Sequence, residues 1–314
     1  MIDAHHHLWD HVDPPYLLDD LLADTASGHR VRQTVFIECG WRWQPEAADR
    51  ALLAVPETAA VAALAAESVA RGGAVIAGIV GHVDLRLGQA GTARALEALA
   101  EAGQGRFVGI RHATAWDNDP GIPNHRTDPG AGLMSNATWR AGFAELARRG
   151  HTYDAWLYHP QIPEFTAVAR AFPATTMVLD HLGGPLGVKT YRDRPDEVLA
   201  AWQSSLIDAA SCPNVFLKLG GIGMPVMGGL WHHRERPASS EELALRWGPQ
   251  IRWCIELFGV SRCLFESNFP VDRVTCSYGV LWNTFERVTQ EFSSSERAQL
   301  FAGTARTVYG LPQP

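Results

Sequence analysis

Three histidines near the start of the chain carry the first sign of chemistry. The segment reads Asp3-Ala-His5-His6-His7. Side chains of a β-strand alternate between its two faces, so Asp3, His5 and His7 are predicted on one face and His6 on the other. Two imidazoles about 7 Å apart on one face can bind a divalent metal ion or hold a carbonyl oxygen. A remnant of an expression tag is the alternative, although a tag usually carries more histidines.

Further polar residues stand where later apolar runs end. Arg111 and Glu38 each end such a run, and His181 follows another. A buried arginine needs an anionic partner, and its planar guanidinium suits a carboxylate, so Arg111 is expected to pair with a carboxylate. Glu38 is a carboxylate that could reach the face of His5 and His7. Three more residues are candidates for a pocket wall, with simple packing as the alternative for each: Trp116, Tyr158 and His159. His112 is a candidate to bind substrate or, as the alternative, to support a residue that does.

Eight short apolar or β-branched runs alternate with segments of helical pattern, and such runs predict strands. The runs are residues 1–5, 31–38, 74–80, 107–111, 152–157, 176–180, 215–219 and 262–266. The helical segments are residues 46–70, 92–102, 137–149, 164–171, 196–210 and 240–258, with two more after the eighth run. This alternation predicts a single-domain α/β protein over residues 1–314, a (β/α)8 TIM barrel with its active site at the carboxyl ends of the strands. A doubly wound open sheet is the alternative, although no glycine-rich phosphate fingerprint supports it.

The composition argues against several classes of protein. Apolar residues make up 46% of the 314 residues and charged residues 19%, which is enough to bury a core. With 27 basic and 34 acidic residues the net charge is −7, so no nucleic-acid partner is expected. We expect no membrane span and no secretory signal. Five cysteines without a CxxC pair predict a reduced, cytoplasmic protein, and a homo-oligomer is left open.

The motifs together resemble the amidohydrolase superfamily, and within it the branch of sugar-lactone, sulfomuconolactone and pyrone-dicarboxylate lactonases. The matching segments run in order along nearly the whole chain: Asp3-Ala-His5-His6-His7-Leu8-Trp9-Asp10, Gly109-Ile-Arg111-His112, Leu179-Asp180-His181-Leu182-Gly183-Gly184-Pro185, Leu217-Lys218-Leu219-Gly220-Gly221 and Phe265-Glu266-Ser267-Asn268-Phe269-Pro270-Val271-Asp272. The resemblance implies hydrolysis in a (β/α)8 barrel, with zinc or manganese in some members and no metal in others.

The resemblance also implies roles for particular residues. His5, His7 and His181 would hold one divalent metal ion, or would polarise the substrate carbonyl directly if no metal is bound. Glu38 is a further candidate ligand for that ion. Arg111 matches an arginine that often holds a substrate carboxylate or lactone oxygen in the family.

One segment departs from the family pattern. The family usually has Gly-Ser-Asp-Trp-Pro, whose aspartate binds metal and takes the proton of the attacking water, but this chain has Glu266-Ser267-Asn268-Phe269-Pro270. The amide of Asn268 cannot accept a proton. Strand alternation would place Glu266 on the same face, so we hypothesise that Glu266 supplies the carboxylate while Asn268 orients water or substrate. The alternative is a structural Glu266 paired with Lys218.

The predicted function is therefore hydrolysis of a lactone, either a small anionic one or one derived from a sugar. No GxSxG segment is present, which argues against a serine hydrolase of the α/β type. Two other functions fit the same barrel. A decarboxylase would tolerate Asn268 because it need not deprotonate water, and a non-catalytic binding barrel would need no base.

Overall fold

Eight parallel strands follow one another around the protein in chain order. The structure is a computed structural model that describes residues 1–313, so Pro314, the last residue of the predicted domain, lies outside it. The strands are β1 (Ile2–His6), β2 (Gln33–Ile37), β3 (Val75–His82), β4 (Phe107–Arg111), β5 (Thr152–Ala155), β6 (Met177–Leu179), β7 (Val215–Lys218) and β8 (Cys263–Leu264). Each strand pairs in parallel with the next one along the chain.

The barrel closes through residues that follow β8. The backbone N–H of Ala4 donates to the carbonyl of Phe265 at 3.3 Å, and that of Asn268 donates to the carbonyl of His5 at 2.9 Å. His7 donates in the same way to Phe269 at 2.7 Å. A sheet in sequential order that returns to its first strand is a (β/α)8 barrel, which confirms the predicted fold and excludes the open sheet.

Helices cover the outside of the barrel. They are α1 (Leu18–Thr25), α2 (Val55–Ala70), α3 (Gly88–Ala102), α4 (Ala137–Arg149), α5 (Ile162–Ala171), α6 (Pro195–Ala210), α7 (Ser240–Phe258), α8 (Tyr278–Val288), α9 (Ser294–Ala298) and α10 (Thr304–Tyr309). Helices α4 and α7 have the predicted bounds, because the residues at one end of each strongly favour a helix terminus. Gly150 ends α4 at a φ of 70°, and Ser239 begins α7 by accepting from the backbone of Glu242.

Helix α2 is the most apolar of the outer helices. The segment Arg50–Ala70, which includes α2, has the length and composition that a bilayer span would need. Val61, Ala62 and Ala65 of its inner face are fully buried, and α2 packs against β3. That pattern is also typical of a core helix in a barrel.

The interior of the barrel has an apolar floor formed partly by the last helix. Ala4, Val35 and Leu264 from the strands share one buried cluster with Val308 and Tyr309 of α10. Beyond that floor the strands carry polar side chains. Three of them are fully buried and belong to the site described next: His5, Asp154 and Lys218.

Candidate active site

His5, His181 and Glu266 meet inside the barrel. Oε1 of Glu266 lies 2.6 Å from Nδ1 of His181 and accepts the backbone N–H of the same residue at 3.1 Å. Oε2 of Glu266 lies 2.9 Å from Nδ1 of His5, and the two imidazole ring centres are 4.6 Å apart. All three side chains are buried, since none exposes more than 3% of its side-chain area. We call these three residues the reaction centre.

The charge of Glu266 is held by the imidazoles beside it. Burial opposes ionisation of a carboxyl group and is the largest single influence, but His181 and His5 together outweigh it and hold the pKa of Glu266 at about 2. Glu266 is therefore ionised at neutral pH. A carboxylate stabilised in this way is a weak proton acceptor, and it is better suited to orienting imidazoles or binding a cation.

His7 lies beside the reaction centre, and its second ring nitrogen is fixed by the backbone. Nδ1 of His7 lies 2.8 Å from the carbonyl oxygen of Ile37, which can only accept, so Nδ1 carries the proton and Nε2 is unprotonated. That Nε2 lies 3.2 Å from Nε2 of His5. If Nδ1–H of His5 donates a hydrogen bond to Glu266, Nε2 of His5 is unprotonated as well. The lone pairs of the two Nε2 atoms then face each other, and a cation between them would be favourable.

Lys218 and two aspartates extend the reaction centre toward the barrel floor. Nζ of Lys218 donates to Asp154 at 2.6 Å and lies 3.0 Å from Asp180 and 3.1 Å from Nδ1 of His5. Burial disfavours the ammonium group, but Asp154 and Asp180 outweigh it and raise the pKa of Lys218. With Glu266 included, three buried carboxylates face this one ammonium group, which leaves an excess of negative charge around the imidazoles.

The charge of Arg111 is already neutralised inside the protein. Its Nε donates to Oε1 of Glu38 at 2.8 Å, and a terminal nitrogen donates to the backbone carbonyl of Glu38 at 2.6 Å. Another terminal nitrogen lies 3.6 Å from Asp180 and 3.4 Å from Nε2 of His5. The second oxygen of Glu38 is paired with Arg126, whose guanidinium stacks on Trp43 at 5.0 Å. Glu38 is therefore engaged on both oxygens by arginines.

We expect Glu38→Gln to destabilise the fold in a pH-dependent way. Burial opposes ionisation of Glu38, but Arg126 and Arg111 outweigh it and hold the pKa of this carboxyl well below its usual value of 4.5. A depressed pKa gives stability that is present above the ordinary pKa and is lost as the pH falls. Urea unfolding should show a loss of about 2–3 kcal/mol at pH 7, shrinking below about pH 4.5.

Glu97→Gln is the matched control for this prediction. Glu97 pairs with Arg149, but 64% of its side chain is exposed, so the change should cost less than about 0.5 kcal/mol. Equal effects of the two substitutions, or an effect of Glu38→Gln that does not vary with pH, would contradict the assignment.

Of the residues predicted to bind substrate, only Arg111 lies beside the reaction centre. His112 accepts from the backbone of Leu85 and from the indole of Trp139, both on the outer side of the barrel wall. Tyr158 donates to the carbonyl of Pro123 at 2.5 Å, and His159 accepts from Leu186. These contacts fasten loops to one another. The side chain of Trp116 lines a separate surface cavity with Glu164 and Tyr191.

Strand alternation fails at two predicted positions. Asp3 does not share a face with His5: it accepts from Ser267 at 2.6 Å and from Tyr278 of α8 at 3.0 Å. The pairing of β1 with β2 shifts register between Asp3 and His6, and such an irregularity breaks the alternation. Asn268 lies beyond the end of β8 with a φ of 54°, where strand alternation no longer applies, and its amide donates to Asp272 at 2.8 Å.

Several residues of the site had no signal in the sequence strong enough to single them out. Trp156 packs edge-on against His181 with ring centres 4.9 Å apart, and Trp43 stacks on His82 at 4.4 Å. Arg126 lies on the long segment after β4, where only its charge marks it. Asp180 could have been found, because it directly precedes His181 in the motif that carried the resemblance.

Comparison with known proteins places the chain in a family. The family model described as amidohydrolase matches residues 2–311. The chain belongs to the amidohydrolase family. A protein of Sinorhizobium fredii called y4mH, described as uncharacterized, is 32% identical to it over 98% of each chain. An L-fucono-1,5-lactonase of Burkholderia multivorans is 29% identical, over 76% of this chain and 73% of the relative.

A solved amidohydrolase structure from Burkholderia multivorans with bound zinc has the same fold. It is 25% identical to this chain, covers 99% of both chains and superposes with a TM-score of 0.76. The similarity therefore extends over the whole barrel, from β1 to the helices that follow β8.

The residues of the reaction centre fit a single divalent ion. His5, His181 and Glu266 offer ligand atoms within 4.8 Å of one another, and all three are buried. His7 adds a nitrogen 3.2 Å from His5, and nitrogens bound to one tetrahedral zinc ion lie about 3.3–3.4 Å apart. The backbone partner of His7 and the carboxylate partner of His5 are the contacts that usually orient metal-binding histidines. The excess of buried negative charge also favours a cation.

Proposed function

We propose that this chain is a hydrolase that opens a lactone derived from a sugar. The observation that carries the proposal is the meeting of His5, His181 and Glu266 at the carboxyl ends of β1, β6 and β8. In a (β/α)8 barrel this end carries the reaction. Two relatives named L-fucono-1,5-lactonase support the choice of a lactone, at 29% and 26% identity.

A neutral polyhydroxy lactone fits the charges of the site better than an anionic one. Arg111 is neutralised by Glu38 and also lies near Asp180, so it is not free to balance a substrate carboxylate. An anion would enter a region whose four carboxylates, those of Glu38, Asp154, Asp180 and Glu266, already outnumber the three cationic groups of Lys218, Arg111 and Arg126. Hydroxyl groups, in contrast, can donate to carboxylates and pack against the indoles of Trp43 and Trp156.

Glu266, His181 and Asn268 have different roles in the proposed hydrolysis. Glu266 holds the Nδ1 proton of His181, which leaves Nε2 of that ring to accept a proton from water or to donate one to the leaving alkoxide. In this proposal Glu266 is a positioning residue, and the general base first predicted at Glu266 is His181. Asn268 positions Asp272. A divalent ion held by His5, His7 and Glu266, with His181 left free for proton transfer, would polarise the ester carbonyl and lower the pKa of water.

A lactone panel tests this proposal. Purified protein is offered L-fucono-1,5-lactone, other aldonolactones and muconolactones, and ring opening is followed by proton release. We expect turnover of aldonolactones above muconolactones, because the latter carry a carboxylate. Release of carbon dioxide without ring opening would favour the decarboxylase instead. Ligand binding without any product over hours would favour the binding barrel.

We expect purified chain to carry about one divalent ion, which elemental analysis measures directly. His5→Asn should lower the metal content, because it removes an imidazole of the reaction centre, whereas His151→Asn should not, since His151 packs against Phe107 on the outside. Removal of the ion with a chelator should reduce lactone hydrolysis, and added zinc or manganese should restore it. Full activity of metal-free protein would contradict this prediction.

We also propose that residues 1–314 act as one domain in the cytoplasm on a small molecule, without a nucleic-acid or membrane partner. Support for a reducing compartment comes from the five cysteines, which are all free. The net charge of −7 supports the absence of a nucleic-acid partner. A homo-oligomer remains compatible with this proposal.

A further inference from the structure

A cavity on the flank of the barrel lies apart from the reaction centre. It opens between α6 and α7, beside the segments that follow β6 and β7, and its volume is about 280 Å³. Its wall is largely aromatic and aliphatic, with Leu186, Tyr191, Leu199, Trp202, Met227 and Trp247. His5, His181 and Glu266 do not line it. We call it the flank cavity.

The flank cavity rests on two segments that are joined by their backbones. The N–H of Gly187 donates to the carbonyl of Val226 at 2.9 Å. The segments approach so closely that a Cβ atom at Gly228 would lie 2.4 Å from the carbonyl oxygen of Gly187, and Gly228 has a φ of 79°. A wall built on such a contact is preformed, as the walls of small-molecule sites usually are.

Two arginines of the flank cavity have no ionic partner. Arg192 and Arg246 line it as exposed side chains, and among the ion pairs of residues 1–313 neither guanidinium group has a carboxylate within 4.0 Å. The guanidinium of Arg246 lies 4.6 Å from the ring of Trp247, and burial lowers the pKa of Arg246. One carboxylate, Asp196, also lines the cavity, so the wall has a surplus of one positive charge.

Two buried polar atoms of the same wall also lack partners. The indole N–H of Trp247 and the carbonyl oxygen of Gln250 are buried and make no hydrogen bond. Only 3% of Trp247 is exposed. A buried donor or acceptor without a partner costs about 1–3 kcal/mol, so such atoms usually have a ligand or a water molecule beside them.

We propose that the flank cavity is a second binding site for a small amphipathic anion. Its apolar body, about the size of one or two rings, would pack against Trp202 and Trp247. Its acidic group would pair with Arg192 and Arg246, which nothing else in the described chain neutralises. The site does not depend on the lactonase proposal, because no residue of the reaction centre contributes to it.

Binding of 8-anilinonaphthalene-1-sulfonate tests the site, since this probe combines an aromatic body with an anionic group. Its fluorescence, excited through Trp202 and Trp247, should saturate at about one probe per chain. Arg246→Gln should weaken binding about tenfold by removing the guanidinium. Leu199→Glu, at a side chain that is 38% exposed on the rim, should weaken it at least as much by placing a carboxylate beside the arginines.

Arg234→Gln is the matched control. Arg234 also stacks on an indole, that of Trp231 at 4.1 Å, but it pairs with Glu242 and does not line the flank cavity. We expect unchanged probe binding in this variant and unchanged lactone hydrolysis in all three. Binding that does not saturate, or that is equal in the three variants and the native chain, would overturn the proposal. So would a native dimer that Leu199→Glu converts to monomer, because a second copy would then occupy the cavity.

Discussion

Glu266→Gln should reduce lactone hydrolysis by about 10³-fold while the protein remains folded. The substitution keeps the size of the side chain but removes the charge that fixes Nδ1 of His181 at 2.6 Å and faces His5 at 2.9 Å. An amide can present its NH₂ group to His181, so the proton of the imidazole is no longer held on one nitrogen. The measurement is kcat/KM for the best lactone of the panel, with circular dichroism to confirm folding.

Glu145→Gln is the matched control for this experiment. Glu145 is also buried and paired, with Arg148 of the same helix, but it lies in α4 on the outside of the barrel. We expect its kcat/KM to stay within about twofold of the native value. Retention of full activity in Glu266→Gln would reject the proposed reaction centre, since no other carboxylate in the described chain bonds to both His5 and His181.

Lys218→Met should cost about 3–5 kcal/mol of stability, which is the effect of leaving buried charges without their partner. Nζ of Lys218 is the only ammonium within 4.0 Å of Asp154, Asp180 and Glu266 in the part of the chain that the structure describes. Methionine fills a similar volume but carries no charge. The measurement is urea unfolding at pH 7, compared with Lys189→Met. Lys189 is the other lysine of the chain and is exposed, so its loss should change little.

A double variant separates the lost charge from lost packing. In Lys218→Met with Asp154→Asn one of the stranded carboxylates is neutralised, so part of the stability should return. Burial already raises the pKa of Asp154 to about 6, which makes this residue the easiest of the three acids to neutralise. If the double variant is less stable than Lys218→Met alone, packing rather than charge explains the effect of the single change.

The fold was predictable because its signals repeat. Eight apolar runs of similar length alternate with helical segments, and an error of a few residues at one strand leaves the count unchanged. The ends of strands were predicted less well: β8 has two residues, Cys263–Leu264, whereas the run in the sequence has five. Helix α1 was not predicted, because its eight residues are fewer than the roughly 11–18 over which a helical period can be recognised, although Leu18, Leu21 and Leu22 follow that period.

The reaction centre was predictable in part, for a different reason. His5 lies near the end of β1, and His181 and Glu266 follow β6 and β8, so the barrel brings all three together whatever the conformation of the loops. The positions of side chains that loops contribute to the site do not follow from the order of the strands. Arg126, from the segment after β4, pairs with the oxygen of Glu38 that Arg111 leaves free. Glu38 is therefore the ion-pair partner of two arginines. Tyr158 and His159, predicted for the pocket wall, are held by backbone atoms of neighbouring loops, and no strand pattern predicts such contacts.

The order of the strands has a consequence for how the protein is made. His5 is translated first, Asp154 and Asp180 follow, and Lys218 comes after both, while the glutamate that joins the imidazoles arrives only past β8. On the ribosome, Asp154 and Asp180 are therefore present before Lys218, the ammonium group that compensates their charge, has been made. The barrel cannot close between β8 and β1 until the residues after β8 have been translated.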